Sequence, residues 1–166
     1  EEESKLYKKE VFHFIRFTEG IFFEDIDIMH EVFWKVKKIV FTNAKLYGYV
    51  HREGSITTKA FSKKDMDILI IVKKMLEFVS DKSDDLKKAA ESYATSASLR
   101  IYLNVPKGKV GEYKTELKEA KGYLNQYGRK VLKDKRVRKK NKVALLLYLS
   151  CKPALHSIYG RINRWK

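Results

Sequence analysis

From Ser62 onward, apolar residues recur at three- and four-residue spacing, and this periodicity constrains the fold more than any other feature of the chain. It predicts a helix from about Lys63 to Val79, opened by Ser62 as N-cap with Asp65 in its acid-favouring first turn. Further helices are predicted at about Asp84 to Leu103, stopped by Pro106-Lys107-Gly108, at Val110 to Gln126, stopped by Gly128, and at Asn141 to Ser150. A last one follows Pro153, with Leu155, Ile158, Tyr159, Ile162 and Trp165 at helical spacing. Upstream, Ile28, Met29, Val32, Phe33 and Val36 form one more stripe, whose first turn holds Glu24 and Asp25, where carboxylates favour the helix dipole. The period changes only between these regions. Lys38–Thr42 and Lys45–Val50 are β-branched and aromatic runs joined by Asn43-Ala44, and they read as two short strands. The expected fold class is therefore α+β, mostly helical.

At 166 residues the chain has room for one domain, or a small domain with a helical extension, and for a real core. The net charge of +15 is unevenly placed. Residues 129–166 hold 13 Lys and Arg against Asp134 alone, a net of +12, which leaves +3 for the first 128 residues. A lone Cys151 excludes an internal disulfide and a cysteine pair for zinc, and suits a reducing cytoplasm. The acidic start, Glu1-Glu2-Glu3, is the opposite of a basic leader. The longest apolar run, Val143–Leu149, falls far short of the roughly 20 residues that cross a bilayer.

Few residues carry legible chemistry. His13, His30 and His156 have no partner at ligand spacing, and Tyr93, Tyr102, Tyr113, Tyr123 and Tyr127 at helical intervals point to packing. No nucleophile–histidine arrangement and no phosphate-binding glycine loop is present. Asp25-Ile26-Asp27 has the form of a metal-holding Asp-x-Asp, but it opens a helix, where the two carboxylates diverge by about 200°. It is read as a decoy.

Read together, Lys5–Phe12, Ile15-Arg16-Phe17, Glu19-Gly20, Glu24-Asp25 and Leu46–Thr57 resemble the acceptor-side half of bacterial family 2 glycosyltransferases. The resemblance covers about a third of the chain. It implies a GT-A fold with a short β-hairpin over residues 1–62, a helical extension over 63–128 and a basic amphipathic helical tail over 129–166. The implied reaction is inverting transfer of a sugar from a nucleoside-diphosphate sugar to a growing glycan, in the synthesis of exopolysaccharide, capsule or lipopolysaccharide. Asp25 would then be the base that takes the acceptor hydroxyl proton, with Glu24 beside it. His51, Arg52, Ser55 and Thr57, around Gly54, would form a loop at the donor diphosphate, whose developing charge a guanidinium and hydroxyls stabilise. Locally, both acids could equally serve only the helix dipole, and Arg52 could be a solvated hairpin exit.

By the same resemblance, Mg²⁺ or Mn²⁺ would be held mainly by a nucleotide-binding half that this sequence lacks, so the chain is expected to be a C-terminal fragment, inactive alone and prone to self-association. The basic run from Arg129 to Lys142, beside Leu145, Leu146, Leu147 and Leu149 and a terminal Trp165, suits an anionic membrane surface. This implies a peripheral position on the inner face of a bacterial membrane, near a glycan or lipid-linked glycan acceptor. The alternative is a non-catalytic basic helical module that binds nucleic acid or membrane.

Overall fold

A computed structural model describes residues 5–48, 50, 60–155 and 159. Among them the chain forms α1 (Glu24–Lys35), α2 (Asp67–Phe78), α3 (Asp84–Asn104), α4 (Lys114–Lys133) and α5 (Lys139–Ser150). Short 3₁₀ turns occupy Lys9–His13, Lys63–Met66 and Lys107–Lys109. Two compact units divide the chain, residues 1–67 and residues 68–166.

The helical majority is as read from the sequence, but the strands are absent. No described residue belongs to a strand, which overturns the α+β class and the GT-A fold with its β-hairpin. Residues 36–48 run without a ladder; locally, the Leu46 N–H meets the Ala44 carbonyl and the Ala44 N–H meets Thr42 Oγ1. β-Propensity measures how well a side chain fits a pleated, half-buried surface, and the described residues provide no such surface here. Val40 is 76% exposed and Phe41 88% exposed. Strand-like composition without a neighbour to pair with among the described residues leaves a segment without regular structure.

In the first unit, α1 buries Ile28 and Val32 against Ile15, and Tyr7, Val11, Phe12, Met29 and Val36 close around them. The i, i+4 spacing of Ile28 and Val32 puts both on one face, so a single turn of helix supplies most of this small core. Gly20 takes a positive φ of 77°, which a residue without Cβ adopts at no steric cost, and turns the chain toward α1. Three polar contacts hold that approach. The Thr18 hydroxyl donates to Asp27 Oδ2 at 2.5 Å, the Phe22 N–H donates to Asp67 Oδ2 at 3.0 Å, and the Lys64 ammonium donates to the Gly20 carbonyl. Ser62 and Asp65 form the expected cap, with the Asp65 carboxylate accepting the Ser62 N–H at 2.9 Å. The turn they cap is 3₁₀, and the α-helix begins four residues later, at Asp67.

The second unit is built on α3, α4 and α5. α3 buries mostly small residues, Ala90, Ala94, Thr95, Ala97 and Ser98, with Leu99 and Ile101, and α4, packed against it, buries Leu117, Ala120, Leu124 and Val131. Small residues on one helix let the leucines of the other enter, the usual way for paired helices to interdigitate. The core then joins Leu99, Leu124, Val131, Val137, Leu145, Tyr148 and Leu155. Tyr102 meets Tyr148 edge-on at 5.0 Å between ring centres. α4 begins after a 3₁₀ turn rather than at Val110, and it does not stop at Gly128. It runs on to Lys133 because Gly128 faces α5: a Cβ at that position would sit 3.2 Å from Leu145 Cδ1. The glycine here provides close approach inside a helix and not a helix end.

Candidate functional site

The pair singled out by sequence lies at the N-terminus of α1, and its two carboxylates have different surroundings. Glu24 is exposed, Asp25 is half-buried, and Asp27, two residues on, is buried at 4% exposure. The helix starts without a side-chain cap, because Phe23 precedes it in the left-handed conformation at φ 65°. The first turn of N–H groups, which has no acceptor within the helix, therefore lies beside Glu24 and Asp25. Asp27 turns inward, and its carboxylate receives the Thr18 hydroxyl. That carboxylate belongs to the fold, fixing the loop before α1 to the helix itself.

The loop from Thr18 to Phe23 sets where Glu24 and Asp25 can point. It is fastened by Asp27 on the helix, by Asp67 and by Lys64. Sequence reading names Asp27 only as half of a decoy metal pattern and does not single out Asp67 or Lys64. The Gly20 turn is visible as Glu19-Gly20, but nothing in the sequence marks Asp67 as the acceptor for a backbone N–H 45 residues away. His51, Arg52, Ser55 and Thr57 lie outside the described residues. Glu24 and Asp25 are thus the part of the predicted site that the structure places.

Among the described residues, no group of three or more His, Cys, Asp or Glu side chains converges in a way that could hold a metal ion. Among the described residues the Asp-x-Asp pattern does not fit Mg²⁺ or Mn²⁺, because Asp27, its second carboxylate, is buried on Thr18. No described helix is long and apolar enough to cross a membrane.

A second polar feature lies within the helical unit. The start of α3, the end of α4 and the loop after it enclose an open groove of about 670 Å³, lined by Lys87, Lys88, Lys133 and Lys135 together with ion-paired residues. Lys130 bonds Glu91 at 3.1 Å, and Arg136 bonds Asp134 at 3.0 Å and reaches Asp85 at 3.5 Å. The Arg136 guanidinium, through its hydrogen bond above all, holds the Asp134 carboxyl below its ordinary value. The acids of this groove are largely spent on internal pairs.

Comparison with known proteins gives one link. The chain is 44% identical over 57 residues to a curated protein named Glycosyltransferase GlyG, from Streptococcus pneumoniae serotype 4. The match covers 34% of this chain and 19% of that protein, so the chain spans about a fifth of the length of the relative it matches. No family model matches the chain. No solved structure matches it. The link relates this sequence to a glycosyltransferase over about a third of its length.

Proposed function

We propose that the chain takes part in inverting transfer of a sugar from a nucleoside-diphosphate donor to a glycan acceptor, as in family 2 glycosyltransferases, with Asp25 as the base. The observation that carries this reading is the 44% identity to a glycosyltransferase over 57 residues. The placement of Asp25 supports it: a half-buried carboxylate at an uncapped helix start, beside an exposed Glu24 and a fastened loop. In the step, the Asp25 carboxylate accepts the proton of an acceptor hydroxyl as that oxygen forms a bond to the anomeric carbon. The bond from that carbon to the donor's terminal phosphate oxygen breaks, and the nucleoside diphosphate leaves with the electron pair. Glu24 stays in solvent and adds negative potential beside the acceptor. Growing surface glycan is the acceptor class that this reading favours. The described residues offer no set for Mg²⁺ or Mn²⁺, and no step here runs through a metal.

Asp25→Asn keeps size and hydrogen bonding but removes the base. It should lower turnover by roughly 10²- to 10⁴-fold in the enzyme that carries this sequence, with donor affinity by calorimetry unchanged. Turnover within a few-fold of the parent would sink the assignment and leave Asp25 as a helix-dipole residue.

A further inference from the structure

α5 is apolar on two opposite sides, and only one of them is used. Leu145 and Tyr148 are fully buried in the three-helix core. At about 100° per residue, Lys139, Val143, Leu146 and Ser150 fall within a sector of roughly 60° on the other side. There Val143 is 57% exposed and Leu146 56% exposed. Leu149 lies at the rim, partly over Gly128. A helix that is apolar all round is normally covered all round, and among the described residues nothing covers the outer face of α5. The cations show what kind of cover it takes. Arg138, Lys139 and Lys140, exposed, open the helix, and no Asp or Glu follows Asp134, which Arg136 already engages.

We propose that the outer face of α5 docks on an anionic membrane surface, with Val143 and Leu146 entering the headgroup boundary and Arg138, Lys139 and Lys140 on the lipid phosphates. Fixed positive charge at one end of an apolar face is complementary to negatively charged headgroups above hydrocarbon. A second copy docking through this same face of α5 would bring the same cations and no carboxylate of that segment to receive them. Nucleic acid would take the lysines and arginine but has no use for Val143 and Leu146. Of the leucines in the sequence Val143–Leu149, Leu145 and the partly buried Leu147 belong to the core and make no membrane contact. The proposal does not depend on the sugar-transfer reading.

Co-sedimentation of the full chain with phosphatidylcholine vesicles, with and without about 30% phosphatidylglycerol, tests it. The chain should partition at least tenfold more strongly into the anionic vesicles. In about 0.5 M salt part of that binding should survive, because screening removes the ionic share and leaves the apolar one. Lys139→Gln with Lys140→Gln should weaken binding at low salt. Val143→Ser with Leu146→Ser should abolish the salt-resistant part, by tenfold or more, and its urea midpoint should match the parent because both side chains face outward. As an independent readout, an environment-sensitive dye on Leu146→Cys, in a Cys151→Ser background, should shift blue on the anionic vesicles alone. Four results would each overturn the proposal: equal binding to neutral vesicles, vesicle binding unchanged in the Val143/Leu146 variant, a dimer by light scattering that this variant dissolves, or binding to a duplex DNA oligonucleotide with none to vesicles.

Discussion

The two units of this chain show what apolar residues do with and without a partner. In residues 68–166, α3, α4 and α5 share one core, in which Leu99, Leu124, Leu145 and Tyr148 pack together across the three helices. In residues 1–67 the buried cluster has three members, Ile15, Ile28 and Val32, while Ile39, Val40, Phe41 and Leu46 stand exposed. Apolar content is similar in kind. What differs is periodicity: 3.6-residue spacing builds a face within one helix before any tertiary contact forms, whereas alternation needs a neighbouring strand to become a sheet. The core of the helical unit is therefore supplied by its own periodicity, whereas residues 37–48 find no partner among the described residues.

Hydrogen exchange should display this contrast at its largest. Amides of Leu99 and Leu124, hydrogen-bonded within α3 and α4 and fully packed, should be protected at least about 10³-fold, the scale of global unfolding for an ordinary domain. The amides of residues 37–43 should exchange near the rate of a free peptide, since they donate no backbone hydrogen bond to another described residue. Strong protection at residues 38–42 would mean that this segment finds a partner in solution and would erase the distinction.

Point substitutions sharpen the same comparison at single residues. Leu124 has no exposed surface and sits between α3 and α5, so Leu124→Ala should cost about 3 kcal/mol, the middle of the range for emptying a packed leucine site. Ile39 is mostly exposed, and Ile39→Ala should cost less than about 0.5 kcal/mol. Urea unfolding of both variants measures the difference. A cost above about 1.5 kcal/mol at Ile39 would show that the exposed segment carries a structure of its own.

The same physics explains what could be read from the sequence. Helix periodicity located α1 to α5 among the described residues, while the helix predicted after Pro153 falls mostly outside them; the Ser62–Asp65 cap was legible because both halves of that motif lie three residues apart. Local signals failed where a distant residue decides. Gly128 has the sequence signature of a helix stop, yet the packing of Leu145 against it makes it a helix interior residue. Residues 38–50 have strand composition, but no described segment pairs with them. At the candidate site, Glu24 and Asp25 fall on the predicted helix start, because acids in a first turn are a local preference. The fastening of their loop by Asp67 and Lys64 joins residues more than 40 positions apart and leaves no sequence trace.

The smallest expected effect distinguishes the helical unit by its response to alkali. Tyr123 on α4 donates its hydroxyl to Glu119 at 3.1 Å, and burial, together with that carboxylate, pushes the phenol up to about 12. Tyr102, Tyr127 and Tyr148 in the same unit are also raised, each chiefly by burial. An unfolded tyrosine titrates at about 10. Each of these groups therefore holds its proton more tightly in the folded chain, and the stability this contributes is complete below pH 10 and lost as pH rises through the folded value. Urea midpoints should accordingly fall between pH 10 and 12. Lysine deprotonation contributes across the same interval, so the decisive quantity is a difference: Tyr123→Phe keeps the ring, stacked on Tyr127, and removes the proton. Its midpoint should fall less steeply than the parent's over that interval and by the same amount below pH 9. Identical slopes in the two proteins would show that the Tyr123–Glu119 contact does not persist in solution, and would remove the alkaline response as a property of α4.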